Sequence, residues 1–219
     1  MRATTLRGVA IGLFAAIGGA IIGTITLKSP KVTPAAPSPK STIADGTSAT
    51  AAPALPFNIG GHFKLRDQHG RTRTPGDFDG KPVFLFFGYA SCEAICTTGL
   101  PRIAKASRAL TSRGIATRPV MITVDPKRDT PEQMGRALAK IDADLLGLTG
   151  SPTALVEARR AFQVDAKVVY VTPDGEDVFA HGNFIYLLDA TGKFITMFPP
   201  ILSSDRMAEI AEKYLSRKS

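Results

Sequence analysis

Val83-Phe84-Leu85-Phe86-Phe87 constrains this chain more than any other stretch. These consecutive aromatic, β-branched or leucine side chains leave no polar face. Such a run suits a strand covered on both sides, as in a parallel sheet. Gly88 breaks it. Cys92 and Cys96, the only two cysteines among 219 residues, follow at once. A helical pattern then begins near Gly99-Leu100-Pro101. Both thiols are therefore predicted in a strand-to-helix loop or the first turn of that helix. Unpaired N–H groups there carry partial positive charge and favour thiolates. On one helical turn, a spacing of i, i+4 would put both sulfurs on the same side. Two thiolates converging in this way can share a soft metal or close a disulfide. A purely structural disulfide is disfavoured, because so short a gap constrains little chain.

The flanking sequence supplies the rest of an α/β domain. Phe63 to Arg66 alternates and Asp67-Gln68-His69-Gly70 reads as a turn, so a short hairpin precedes the main sheet. After the cysteines, Pro101 to Thr111 is helical, with Ile103, Ala104, Ala106 and Leu110 as its apolar positions. Val120 to Val124 is a second buried strand. Thr130-Pro131-Glu132 supplies an N-cap, a proline at the first helical position and an acid in the first turn. Leu145 to Leu148 reads as a short strand, and Ser151-Pro152 opens another helix. Lys167 to Thr172 and Asp177 to Phe179 flank a Pro173-Asp174-Gly175-Glu176 hairpin turn. Phe184 to Leu188 and Lys193 to Phe198 pair back around Asp189 to Gly192. Ser204-Asp205 is expected to cap a last helix through Leu215. This order predicts a thioredoxin-like α/β sandwich.

The first 56 residues are of a different kind. Met1 to Arg7 is a short head, and Gly8 to Leu27 carries no charge. At ~1.5 Å per residue this span reaches across a ~30 Å hydrocarbon core. An N-terminal transmembrane anchor over 8–27 is the expectation, with a cleaved signal peptide as the alternative, since the run is rich in Gly and Ala. Residues 28–56 hold Pro30, Pro34, Pro37, Pro39, Pro53 and Pro56 among Ala, Ser and Thr, and read as an extended linker. Residues 57–219 are the folded unit. Of 27 basic and 19 acidic residues, five and one fall in the first 56. The domain therefore carries 22 against 18, a net +4 with scattered basic residues, and nucleic-acid binding is not expected.

Several of these pieces together resemble the SCO/SenC copper-chaperone family of cytochrome oxidase assembly. They are Ile59-Gly60-Gly61 with Phe63, Leu65 and Asp67-Gln68; Phe87-Gly88-Tyr89 with Cys92-x3-Cys96; Val124-Asp125-Pro126 with Arg128-Asp129-Thr130-Pro131; Leu148-Thr149-Gly150-Ser151-Pro152; and His181 ahead of Phe184-Ile185-Tyr186-Leu187-Leu188-Asp189. The resemblance implies a copper ion held by Cys92, Cys96 and His181. Two thiolates and an imidazole form a soft donor set that favours Cu(I), whereas structural zinc normally takes a fourth Cys or His. The chain departs from the family at Glu93 and Thr97, where proline usually follows each cysteine, and at Ala180, where Asp usually precedes the histidine. Glu93 adds a carboxylate near the thiols, which raises their pKa by like-charge repulsion. Asp125 and Asp129 are read as caps of the loop and the following helix, with support of the metal ligands from behind as the alternative. His62 and His69 are read as exposed turn histidines, and Met121 and Met197 as core strand residues.

The resemblance implies a membrane-tethered metallochaperone that delivers copper to the copper-bearing subunit of cytochrome c oxidase or another copper acceptor. A short N-terminal head leaves no room for a transit peptide, so the expected place is the bacterial inner membrane with the domain in the periplasm. The alternative is a thiol–disulfide oxidoreductase acting on cysteines of a copper acceptor, with Cys92 and Cys96 as the redox pair. A thiol peroxidase, using Thr97, Thr98 and Arg102 around an activated thiolate, is a third reading.

Overall fold

The computed structural model describes residues 58–90 and 96–216, with the backbone alone at 96 and 97. The expected head, anchor and linker of 1–56 lie outside these residues, as does Cys92. Among the described residues, no helix is long and apolar enough to cross a membrane.

The apolar run forms β3 (Val83–Gly88), an interior strand of a seven-stranded sheet ordered β2-β1-β5-β4-β3-β8-β9. Its parallel neighbour is β4 (Arg118–Thr123), which in turn pairs in parallel with β5 (Leu146–Thr149). On the other side β8 (Ile185–Leu188) runs antiparallel to β3, with Phe86 opposite Ile185, and β9 (Phe194–Phe198) is antiparallel to β8. The hairpin β1 (Leu65–Asp67) and β2 (Thr72–Arg73) joins the far edge through an antiparallel β1–β5 ladder. It is thus part of the main sheet and not merely a prelude to it.

Coverage on both faces explains the unbroken apolar pattern of β3. Val83 to Phe87 are each no more than 1% exposed. Successive side chains point to opposite faces. Phe86 meets α1 (Cys96–Thr111), where a Cβ added to Gly99 would lie 3.0 Å from its Cζ. Phe87 instead packs on Phe162, at the end of α3 (Pro152–Ala161), with centroids 5.7 Å apart. Burial of each such ring is worth about 1.5–3 kcal/mol. Helix α4 (Ser204–Leu215) packs on α1, tied by Lys105–Asp205 and Arg113–Glu212 ion pairs.

Helix ends follow side-chain chemistry. Thr130 caps α2 (Pro131–Ala139) by accepting from the Gln133 N–H, and Ser151 caps α3 through Ala154. At α4 the cap is Ser203, which accepts from the Arg206 N–H, and Ser204 is the first helical residue. Helix α1 begins at Cys96, earlier than the apolar spacing indicates, and carries Pro101 within it. Being in the second turn, this proline forgoes only one early intrahelical bond.

Strands β6 (Ala166–Val171) and β7 (Asp177–His181) form a separate two-stranded ribbon. Its register sets Ala166 opposite His181 and Val168 opposite Phe179, with an irregularity between Val168 and Tyr170. Val169 and Tyr170 face solvent, 55% and 57% exposed. The result is a thioredoxin-like mixed α/β fold with a ribbon inserted before β8.

Candidate metal centre

The chain direction of β3 decides where the site stands. Its C-terminal end leads through Tyr89 and Ala90 toward the cysteines, and α1 starts at Cys96. The antiparallel β8 begins beside that same end, with Ile185 opposite Phe86, so residues just before β8 are delivered there as well. His181 is the last residue of β7 and comes four positions ahead of β8. The topology thereby brings the histidine and the cysteine-bearing segment to one end of the sheet from opposite ends of the domain sequence.

His181 is half-buried. Its ring packs edge-on against Phe86, with centroids 6.0 Å apart, and against Tyr89, at 6.1 Å. Its Nδ1 lies 3.0 Å from the Gly182 carbonyl oxygen, which can only accept. Nδ1 is therefore the donor of this contact, which in the neutral ring leaves Nε2 as the nitrogen that can ligate. A backbone carbonyl holding one ring N–H is the usual support for an imidazole that ligates through the other nitrogen. The ring thus fits a copper ion without needing the carboxylate that Ala180 does not supply. Ala180 itself is exposed.

Cys92 and Glu93 lie outside the described residues, and so do the side chains of Cys96 and Thr97. Thr98 is exposed and Arg102 half-buried on α1. Among the described residues, no three His, Cys, Asp or Glu side chains gather as a metal cluster. His62 and His69 are exposed, as read from their surroundings, and Met121 is fully buried in β4.

Asp125 caps the loop as expected, its side chain accepting the Arg128 N–H at 3.4 Å, whereas Asp129 does not cap the following helix. Thr130 does the capping of α2. Asp129, 2% exposed, accepts the Ala90 N–H at 2.9 Å and the Thr123 hydroxyl at 2.6 Å. The carboxylate of Asp129 therefore holds the peptide two residues before Cys92. Burial pushes its carboxyl pKa up, against the pull of the Thr123 and Ala90 bonds. Asp125, 1% exposed, pairs with Arg128. Arg128 extends onward to the Tyr89 ring, to the Glu176 carboxylate and to the Asp177 carbonyl. The sequence offered one signal for these contacts: two acids and an arginine clustered around prolines at a strand end.

The SCO1/SenC family profile matches residues 51–216. The chain belongs to the SCO1/SenC family. The fission yeast Schizosaccharomyces pombe protein sco1 is 34% identical over 168 residues, covering 73% of this chain and 62% of its own length. This SCO1/SenC chain thus spans less than two thirds of that relative. A SCO2-like protein of Rickettsia felis is also 34% identical, over 64% of this chain and 69% of its own. Among solved structures, copper-bound ScoI of Bradyrhizobium japonicum is 36% identical, with a TM-score of 0.64, covering 72% of this chain and 99% of that one. Copper-bound ScoI of Arabidopsis thaliana is 28% identical with a TM-score of 0.69, over 74% and 99%.

Proposed function

We propose that this SCO1/SenC chain is a copper metallochaperone in which Cys92, Cys96 and His181 hold the ion. The acceptor is the copper-bearing subunit of cytochrome c oxidase or another copper acceptor. One observation carries the reading. The Gly182 carbonyl fixes the His181 tautomer with the lone pair on Nε2, at the sheet end that leads to the cysteines. Kinship with a copper-bound Bradyrhizobium protein at 36% identity supports it. Copper here is cargo. Two thiolates and one neutral nitrogen bind Cu(I) and leave a face open for an incoming thiolate, so transfer proceeds by ligand exchange.

In the same reading residues 8–27 anchor the chain in the bacterial inner membrane. Residues 28–56 tether it, and residues 57–219 work in the periplasm. Cys96 opens α1, where unpaired N–H groups favour a thiolate. That placement serves thiol–disulfide exchange equally, which is the second reading. The two part at His181, because sulfur attacking sulfur needs no imidazole. His181→Ala in cells should leave the Cys92–Cys96 redox couple intact while active oxidase fails to assemble at limiting copper and recovers with added copper. Normal oxidase at limiting copper in His181→Ala, with loss in Cys92→Ser or Cys96→Ser, would replace the metallochaperone by the oxidoreductase.

A further inference from the structure

The proposed ligands ride on two separate arms. The cysteines follow β3, whereas His181 ends a ribbon that shares no ladder with the seven-stranded sheet. Copper bound by both arms requires something to set their separation. Aromatic contacts contribute: Tyr89 meets Phe179 at 5.6 Å and His181 at 6.1 Å. Such contacts are short-ranged and weakly directional.

One side chain ties the ribbon to the end of β4 with directional bonds and also lies over the Tyr89 ring of the cysteine arm. The Nε of Arg128 donates to the buried Asp125 carboxylate, which anchors the fork to the end of β4. One terminal nitrogen donates to Glu176 at 2.7 Å, and the other donates to the Asp177 carbonyl, the first residue of β7. The guanidinium carbon stands 5.3 Å from the centroid of the Tyr89 ring, three residues before Cys92. The neighbouring Lys127 also pairs with Asp177, at 3.3 Å, but its side chain is 82% exposed. An ion pair in that setting contributes little. Only the planar fork of arginine can meet a carboxylate, a carbonyl and a ring face at once.

We infer that Arg128 is a positioning residue for the copper site, fixing where His181 stands relative to the cysteine loop. The inference rests on the ligand set proposed above. Arg128 acts through His181, so its loss matters to copper only while His181 is present. Lysine in its place keeps the charge and loses the geometry.

The test is a double-mutant cycle on the reduced full-length chain, with Cu(I) affinity read by competition against a chromogenic Cu(I) chelator. Arg128→Gln should weaken binding about 10-fold when His181 is present and less than about twofold in a His181→Ala background. Arg128→Lys should behave like Arg128→Gln. Equal losses in the two backgrounds overturn the inference while leaving the ligand set intact, since Arg128 would then act on the whole fold. Unchanged affinity in His181→Ala alone overturns the ligand set, and the inference with it. Should Arg128→Gln fail to fold, Glu176→Ala takes its place in the cycle, because it removes the acceptor of one Arg128 contact at a side chain that is 58% exposed. A loss confined to the His181 background then supports the positioning role, and no loss overturns it.

Discussion

The Ala90 N–H donates to the buried Asp129 carboxylate at 2.9 Å, bridging 39 residues of sequence just before the cysteine segment. Thr123 completes the arrangement by accepting the Asp125 N–H and donating its single hydroxyl proton to Asp129. The bond directions require an acceptor at 129. Asp129→Ala leaves the half-buried Ala90 N–H and the buried Thr123 hydroxyl without it, at a cost of about 1–3 kcal/mol. The expected outcome is a lowered urea midpoint together with faster hydrogen exchange at the Ala90 amide. Unchanged protection at Ala90 would separate Asp129 from the loop.

Asp129 also predicts a pH dependence. Its folded carboxyl pKa is raised, chiefly by burial. The stability it contributes is therefore full below the unfolded carboxylate pKa and is lost as pH rises through the folded value. Asp129→Asn has no such titration. The stability of wild type relative to Asp129→Asn should fall from about pH 3.5 toward neutrality. Denaturant midpoints of both proteins across that range check it, and a flat difference contradicts it.

Asp67 should behave in the opposite sense. Its side chain is fully buried, and burial alone would raise its pKa. The Arg71 and His69 N–H groups and the Arg71 and Arg73 guanidinium groups outweigh burial and hold the carboxyl below its usual value. Its contribution is present above the unfolded pKa and is lost as pH falls through the folded one. Asp67→Asn should cost about 1–3 kcal/mol at neutral pH. The gap to wild type should close on acidification below about pH 4. A gap independent of pH would mean that shape, not charge, holds the β1–β2 hairpin.

Local chemistry made most elements legible in the sequence. Thr130 and Ser151 each stand before a proline, and both cap the helix expected of them. Val83 to Phe87 announced a strand covered on two faces. What sequence spacing could not convey was long-range closure. Ser203 rather than Ser204 caps α4 because backbone geometry, not residue type, selects between adjacent serines. Asp129 reads as a helix cap, and Arg128 stands out only within the stretch that carries the family resemblance. Asp129 reaches Ala90 across 39 residues, and Arg128 reaches Glu176 and Asp177 across 48 and 49, links visible only once β3, β4 and the ribbon are assembled. His181 was legible as a ligand only through its resemblance to a family. The carbonyl that fixes its tautomer, and the Phe86 and Tyr89 rings beside it, are products of the fold.

Phe86 links the start of α1 to the histidine, and that link yields a last prediction. A Cβ at Gly99 would sit 3.0 Å from Phe86 Cζ and 3.4 Å from both Cε atoms. The ring is 1% exposed and packs edge-on against His181, so it has little room to retreat. Overpacking a buried contact of this kind costs about 1–3 kcal/mol. Gly99→Val should therefore lower stability by that amount, shift the His181 imidazole resonances and weaken Cu(I) binding. Phe86→Leu shortens the side chain that the added valine methyls would strike. The double variant Gly99→Val/Phe86→Leu should then be less destabilised than the sum of its single changes. Strict additivity in urea unfolding, with His181 resonances unmoved in Gly99→Val, would show that α1 and the histidine are not coupled through Phe86.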